Sequence, residues 1–247
     1  MSEVPQVPQA EAAIVIGDGD VPARGALTAA WPEWRRGVGS VVAADGGSRA
    51  AARLGLRLDL VVGDADSLSA AELEELRGAG IALELLPAEK DASDLELALR
   101  RALERVPGPI TLLGALGGPR VEHALANVAL LALPELAGRD VRILDARSCI
   151  RLLVARGAAR PARMALDGRP GDHVSLFAWQ GPADGVTTDG LRYPLTDEPL
   201  PPATSRGLSN EFSGPRASLS LRRGALLIVH TRRARSQTGA TPTPRKE

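Results

Sequence analysis

Apolar positions follow one rhythm in the first half of the chain and another in the second. Across residues 12–144, short unbroken apolar runs alternate with stretches of helical spacing. The runs cover 12–16, 40–44, 59–62, 81–86, 110–113 and 141–144. Runs this short, rich in Val, Ile and Leu and bounded by Gly or Asp, predict strands buried on both faces. Between them the spacing predicts a helix from about Pro22, where proline suits a first turn. A second covers 48–54 and is stopped by Gly55, and a third covers 70–77. A fourth carries Leu95, Leu99, Ala102, Leu103 and Val106 on one face and ends at Pro107-Gly108-Pro109. The last covers 121–133. Ser93 with Glu96 three residues on predicts a capping box, and either Asp66 or Ser67 is placed to cap the helix near Ala70. This alternation predicts a Rossmann-like parallel sheet with helices on its faces. Right-handed crossovers then bring the carboxyl ends of all its strands to one edge.

After about Asp145 the helical rhythm fades. Short β-like runs at 149–154, 163–166, 172–179, 185–188, 217–221 and 225–230 lie between dense Gly and Pro, which predicts a smaller antiparallel β-sandwich. The expected fold class is therefore α/β, with a flexible leader over 1–11 and a nucleotide-binding domain over 12–146. A β-rich domain over 147–231 and a disordered, basic and then Thr/Pro-rich tail over 232–247 follow.

Composition narrows the function classes. Acidic and basic residues balance at 30 each and aromatics are few, so neither a nucleic-acid surface nor an anionic membrane is indicated as partner. No apolar run reaches the length of a membrane span, and the N-terminal residues do not read as a signal peptide. The single cysteine, Cys149, sits in an apolar run and reads as a buried structural thiol, so a cytoplasmic protein is expected. Trp31 and Trp34 read as helix packing and Trp179 as sandwich core or interface, with His173 and His230 structural.

The strand ends carry the candidate chemistry. The sheet edge would collect Asp18 and Asp20, Asp45-Gly46-Gly47, Asp64 and Asp66, Asp91 and Asp94, and the run Gly114 to Arg120 with Gly117, Gly118 and His123. Asp18 and Asp20 also read as simple turn formers. Asp64 and Asp66, two apart, would point the same way on an extended backbone. Such a cluster of carboxylates repels itself unless a hard cation such as Mg2+ joins it. Glycines admit a bulky anion, and Lys90 and Arg120 supply positive charge, so the set suits phosphoryl chemistry. Neither a G-x-x-x-x-G-K-[ST] loop nor a G-x-G-x-x-G turn after the first strand is present. Asn127, on the helix after His123, suits either backbone bracing or substrate contact.

Asp45-Gly46-Gly47, Gly63-Asp64-Ala65-Asp66-Ser67, Lys90-Asp91-Ala92-Ser93-Asp94, the 114–127 stretch, the 187–195 stretch and Ser209-Asn210-Glu211 together resemble, in order and spacing, the thiamine pyrophosphokinase family. The resemblance implies transfer of the terminal pyrophosphate of ATP to the hydroxyl of thiamine, giving thiamine diphosphate and AMP, in a homodimer. It implies Asp64, Asp66 and Asp94 as Mg2+ ligands, with Asp66, Asp94 and Arg120 at the chemistry. Asp45, Gly46, Gly47, Lys90, Asp91, Gly117, Gly118 and His123 would bind ATP. Ser209, Asn210 and a Tyr193 contributed across the dimer would bind thiamine, whose cationic ring suits an aromatic face. The chain departs from the family pattern at Glu122, where Asp is usual, at Ser93 for Thr, and at Ala65 for an aromatic. Alternatives are a pyrophosphokinase of another small, pterin-like alcohol, or an inactive nucleotide- or thiamine-binding regulator.

Overall fold

The computed structural model describes residues 11–155 and 160–234. Residues 1–10 of the expected leader and 235–247 of the expected tail lie outside them. The first half alternates as read. It runs β1 (Ala12–Ile16), α1 (Arg24–Ala30), β2 (Val38–Ala44), α2 (Ser48–Leu54), β3 (Leu60–Gly63), α3 (Ala70–Gly78) and β4 (Ala82–Leu85). Then come α4 (Asp94–Arg105), β5 (Ile110–Leu113), α5 (Val121–Ala129) and β6 (Val141–Leu144). The second half is β7 (Ser148–Ala155), β8 (Ala162–Asp167), β9 (His173–Ala178), β10 (Ala183–Asp189), β11 (Glu198–Leu200), β12 (Asn210–Glu211), β13 (Arg216–Leu221) and β14 (Gly224–Thr231). Two predicted helices are shorter than expected. The first begins at Arg24 rather than Pro22, and the last gives way after Ala129 to a 3-10 turn over Leu130–Ala132.

A ten-stranded sheet runs in the order β12-β9-β14-β7-β6-β5-β1-β2-β3-β4. The six strands from β6 to β4 are parallel, whereas β7, β14, β9 and β12 join antiparallel. The sheet thus continues across the predicted boundary at 146/147. The tight turn that permits this is held by Asp145, whose carboxylate accepts the backbone N–H of Arg147 at 2.6 Å and of Ser148 at 2.5 Å. A second, antiparallel sheet, β11-β10-β13-β8, packs on the antiparallel end.

Both faces of the parallel half are buried, which is why its strands read as unbroken apolar runs. Along β1, Ala13 and Val15 pack with Leu95, Ala98, Leu99 and Ala102 of α4. Ile14 and Ile16 face the other way, toward Leu27 of α1 and Ala50, Ala51 and Leu54 of α2. Gly55 closes α2 in the left-handed conformation, as expected. Trp31 and Trp34 are in this second core, whereas Trp179 packs against the core under α4 rather than inside the sandwich. The sandwich has its own core, with Leu153, Leu176, Leu226 and Ile228 facing Leu166, Val186 and Leu219.

Candidate active site

In the parallel half, β1 lies between β2 and β5, so the chain leaves β1 in one direction and returns on its other side at β5. That is the switch point where open α/β sheets bind ligands. The Gly17 N–H donates to Leu113 carbonyl (2.8 Å) and the Gly19 N–H to Gly114 carbonyl (2.9 Å), so the turns after β1 and β5 run together. A cavity of about 770 Å³ opens there, lined from the ends of β1 to β5.

The structure brings most predicted residues into it: Asp45, Asp64, Asp66, Lys90, Asp91 and Asp94, with Gly117, Gly118, Arg120 and His123 on the far wall. Asp18, read as a possible turn former, also lines it, and so does Asn127. Asn127 braces backbone as well, its Nδ2 donating to Ala115 carbonyl at 2.8 Å. Gly46 and Gly47 form the turn beneath Asp45. At Gly47 a Cβ would stand 2.3 Å from the Ile16 carbonyl oxygen, so only glycine lets β2 and β1 end side by side. Gly117 has φ 75, and a Cβ on it would meet the Asp20 carboxylate at 2.1 Å.

Asp64 and Asp66 do not lie on extended backbone. Ala65 between them has φ 62, and Asp64 Oδ1 accepts the Asp66 N–H at 3.2 Å, so the pair sits in a tight turn. Asp45 and Ser209 also have positive φ, 46 and 58, a conformation that a non-glycine residue holds only where its surroundings impose it. Single oxygens of Asp45, Asp64 and Asp66 all lie within 4.8 Å of one another. Asp45 is 5% exposed, and its Oδ1 has no hydrogen-bond partner among the described residues. Burial raises the Asp45 carboxyl above its ordinary range and nearby Asp66 adds to this, against hydrogen bonds from Ser67. This donor set fits a hard divalent cation: three carboxylates, one of them with an orphaned buried oxygen.

Asp94 is not in that trio. Lys90 Nζ bridges the two groups, 3.0 Å from Asp64 Oδ2 and 3.1 Å from Asp94 Oδ1, and holds the Asp64 carboxyl below its ordinary range. Ser93 caps α4 by accepting the Glu96 N–H at 3.2 Å. The predicted reciprocal bond is not made, because Glu96 pairs with Arg100 at 2.9 Å. The full capping box is at Ser69 and Glu72, at the start of α3. Neither Asp66 nor Ser67 caps that helix, and Ser67 Oγ donates to Asp66 instead. Arg120 pairs with Glu122 at 2.7 Å, both exposed, and Glu122 does not line the cavity.

Tyr193, Ser209 and Asn210 do not line this cavity either. They form a second group on the sandwich. The Asn210 Oδ1 accepts the Tyr193 N–H at 3.0 Å and its Nδ2 donates to Tyr193 carbonyl at 2.6 Å, while Tyr193 as a whole is 58% exposed.

Comparison with known proteins matches these two groups separately. The family model for the thiamin pyrophosphokinase catalytic domain matches residues 36–143, and that for the thiamin pyrophosphokinase vitamin B1 binding domain matches 163–226. The thiamine pyrophosphokinase of Bacillus subtilis is 28% identical over 170 residues, which are 68% of this chain and 76% of that one. A thiamin pyrophosphokinase family protein from Enterococcus faecalis superposes with a TM-score of 0.75 at 28% identity, over 91% of this chain and all of its own. The crystal structure of the Bacillus subtilis enzyme gives 0.77 at 22% identity, over the same shares, a likeness of fold. With both family models matched in order, the chain belongs to the thiamin pyrophosphokinase family.

Proposed function

We propose that the protein transfers the terminal pyrophosphate of ATP to the hydroxyl of thiamine. The observation that carries this reading is the convergence of Asp45, Asp64 and Asp66 on one point of a cavity at the sheet's switch point, opposite the glycine turn of Gly117 and Gly118. The thiamine oxygen bonds to the β-phosphorus of ATP, the bond from that phosphorus to the α-phosphate oxygen breaks, and AMP leaves. The hydroxyl proton is released to solvent or to a strand-end carboxylate.

Asp45, Asp64 and Asp66 hold a magnesium ion, which when bound offsets charge on the triphosphate oxygens. Lys90 orients Asp64 and ties it to Asp94 on α4. Asp91 and His123 face the nucleotide, and Arg120 faces the phosphates from the far wall. Residues 12–146 carry this chemistry and 147–231 carry the acceptor site. Tyr193, Ser209 and Asn210 bind thiamine delivered to the cavity of a second copy. Support for that comes from α5, which borders the cavity with Val121 71% and Leu125 67% exposed and none of its residues buried. A free, buried Cys149 suits a reducing cytoplasm.

The test is incubation of the purified chain with ATP, Mg2+ and thiamine, followed by product analysis. Thiamine diphosphate and AMP in equal amounts, both lost on chelation, are expected. AMP without thiamine diphosphate would mean that water took the pyrophosphoryl group, and would call for the same assay with other alcohols as acceptor. Absence of both products would refute the reading.

A further inference from the structure

Arg49, the second residue of α2, follows Asp45-Gly46-Gly47 by two positions and reaches across to the next strand end. Its Nη2 donates to the Ser67 carbonyl at 2.5 Å. Its Nε and Nη2 donate to the two carboxylate oxygens of Glu72, at 2.6 and 3.0 Å. This is a bidentate arginine–carboxylate pair, the geometry that fixes orientation best. Glu72 is itself held by the Ser69 N–H and Oγ at 2.8 and 2.7 Å, through the capping box of α3. On the other side of the same residue, the Ser67 N–H donates to Asp45 Oδ2 at 3.2 Å. Ser67 is therefore held at both polar backbone groups, by Asp45 from the end of β2 and by Arg49 from α2. It directly follows Asp66. Hydrogen bonding to Arg49 and Ser69 drops the Glu72 carboxyl to about 2, so the clamp stays ionised across the working range of pH.

We propose that Arg49 is a positioning residue for the cation site: clamped by Glu72, it holds the Ser67 peptide against Asp45 and so fixes the spacing of Asp45 from Asp64 and Asp66. The proposal rests on the reading of those three carboxylates as a cation site. Asp45 stands on one strand end and Asp64 and Asp66 on the next. Their oxygens can share one ion only if the turn after β3 is held toward Asp45. The backbone tie between the two motifs is the Ser67 N–H bond to Asp45, beside which the Asp66 carboxyl also meets that of Asp45 directly. Outer partners that orient metal ligands commonly change metal affinity by about 10–100-fold when removed.

The experiment titrates Mn2+ into the full chain and reads free Mn2+ by electron paramagnetic resonance, with thermal unfolding measured on the same samples. Wild type, Arg49→Met, Arg49→Lys and Ser69→Ala are compared. Ser69→Ala removes the helix cap and one of the two Ser69 bonds to Glu72, but keeps the Ser69 N–H bond to Glu72 and the Arg49 bonds to Glu72 and Ser67, so it reports chiefly loss of stability. The expected result is a Mn2+ dissociation constant raised roughly 10–100-fold in Arg49→Met. Arg49→Lys, which keeps the charge but not the fork, falls between, and Ser69→Ala binds as wild type although it melts lower. Should Arg49→Met not fold, the comparison of Arg49→Lys with Ser69→Ala decides the matter in the same way. Mn2+ binding by Arg49→Met or Arg49→Lys equal to wild type overturns the proposal. So does an equal loss in Ser69→Ala and the Arg49 variants. Failure of wild type itself to bind Mn2+ would remove the cation-site reading and this proposal with it.

Discussion

Replacing His230 by Phe should flatten the fall in stability on mild acidification. His230 is 4% exposed in β14, its ring 5.2 Å from that of Trp31 and 4.9 Å from that of Phe212, centroid to centroid. Its Nε2 lies 3.4 Å from the Asp172 carboxylate, but Arg232 already binds that carboxylate at 2.7 Å. Burial and then the Arg232 charge push the imidazole from 6.5 down to about 4, and Asp172 offsets this only in part. A histidine with a depressed folded-state value favours the folded chain fully above the unfolded value. That advantage is lost as pH falls from 6.5 toward about 4, because the unfolded chain takes up the proton first. Integrating over that shift gives a loss of about 2 kcal/mol between pH 7 and pH 5, and roughly 3 kcal/mol in all. Asp172, whose carboxyl is held below its ordinary range against burial by Arg232 and the Arg233 N–H, contributes only at lower pH. The assay is urea unfolding at pH 7 and pH 5, followed by tryptophan fluorescence, for wild type and His230→Phe. Wild type should lose about 2 kcal/mol more than the variant between the two conditions. Parallel pH profiles would refute the assignment of that loss to His230.

Three further outcomes follow from the packing and the two-part site. Leu99→Ala, at a fully buried position in α4, should cost about 2–5 kcal/mol, read as a melting temperature lower by roughly 4–20 °C. Gly47→Ala, which forces a Cβ against the Ile16 carbonyl, should lower stability by about 1–3 kcal/mol and reduce nucleotide binding in calorimetry, since Asp45 is displaced with the turn. Asp66→Ala and Asn210→Ala should each be inactive alone, yet an equal mixture after subunit exchange should recover roughly a quarter of wild-type turnover, because one site in each mixed dimer is intact. An inactive mixture, with exchange verified, would place both residues in one chain's site.

Where the sequence spoke clearly, one local cause decided the structure. The runs at β1, β5 and β6 match their strands end to end because burial on both faces leaves an uninterrupted apolar signal. The helix over 48–54 matches because Gly55 can take the left-handed stop. What was missed depends on partners far away in the chain. The two-residue strand β12 exists only by pairing with β9, at Asn210 with Val174, and carries no period of its own. The Ser93–Glu96 pattern looks like a capping box, but the reciprocal bond is lost to Arg100, while Ser69–Glu72 forms the box with Arg49 bracing it. The aspartates of the cavity were legible because Asp-Gly clusters at strand ends are poor strand and helix formers that recur in register. Ala65 hid the turn between two of them, since alanine gives no signal of positive φ. Asp18, readable both as a strand-end carboxylate of the sheet edge and as a turn former, lines the cavity where β1 and β5 come together at the switch point.

The most direct measurement is thiamine-dependent release of AMP by Asp66→Asn beside wild type, with circular dichroism and melting temperature recorded on both. Asp66 is exposed at the cavity and makes few structural contacts, so the variant should fold and melt as wild type. If Asp45, Asp64 and Asp66 hold the cation that serves the transfer, AMP release should fall by roughly 10³-fold or more, about 4 kcal/mol of lost transition-state stabilisation. A folded Asp66→Asn that releases AMP and forms thiamine diphosphate within a fewfold of wild type would contradict the account.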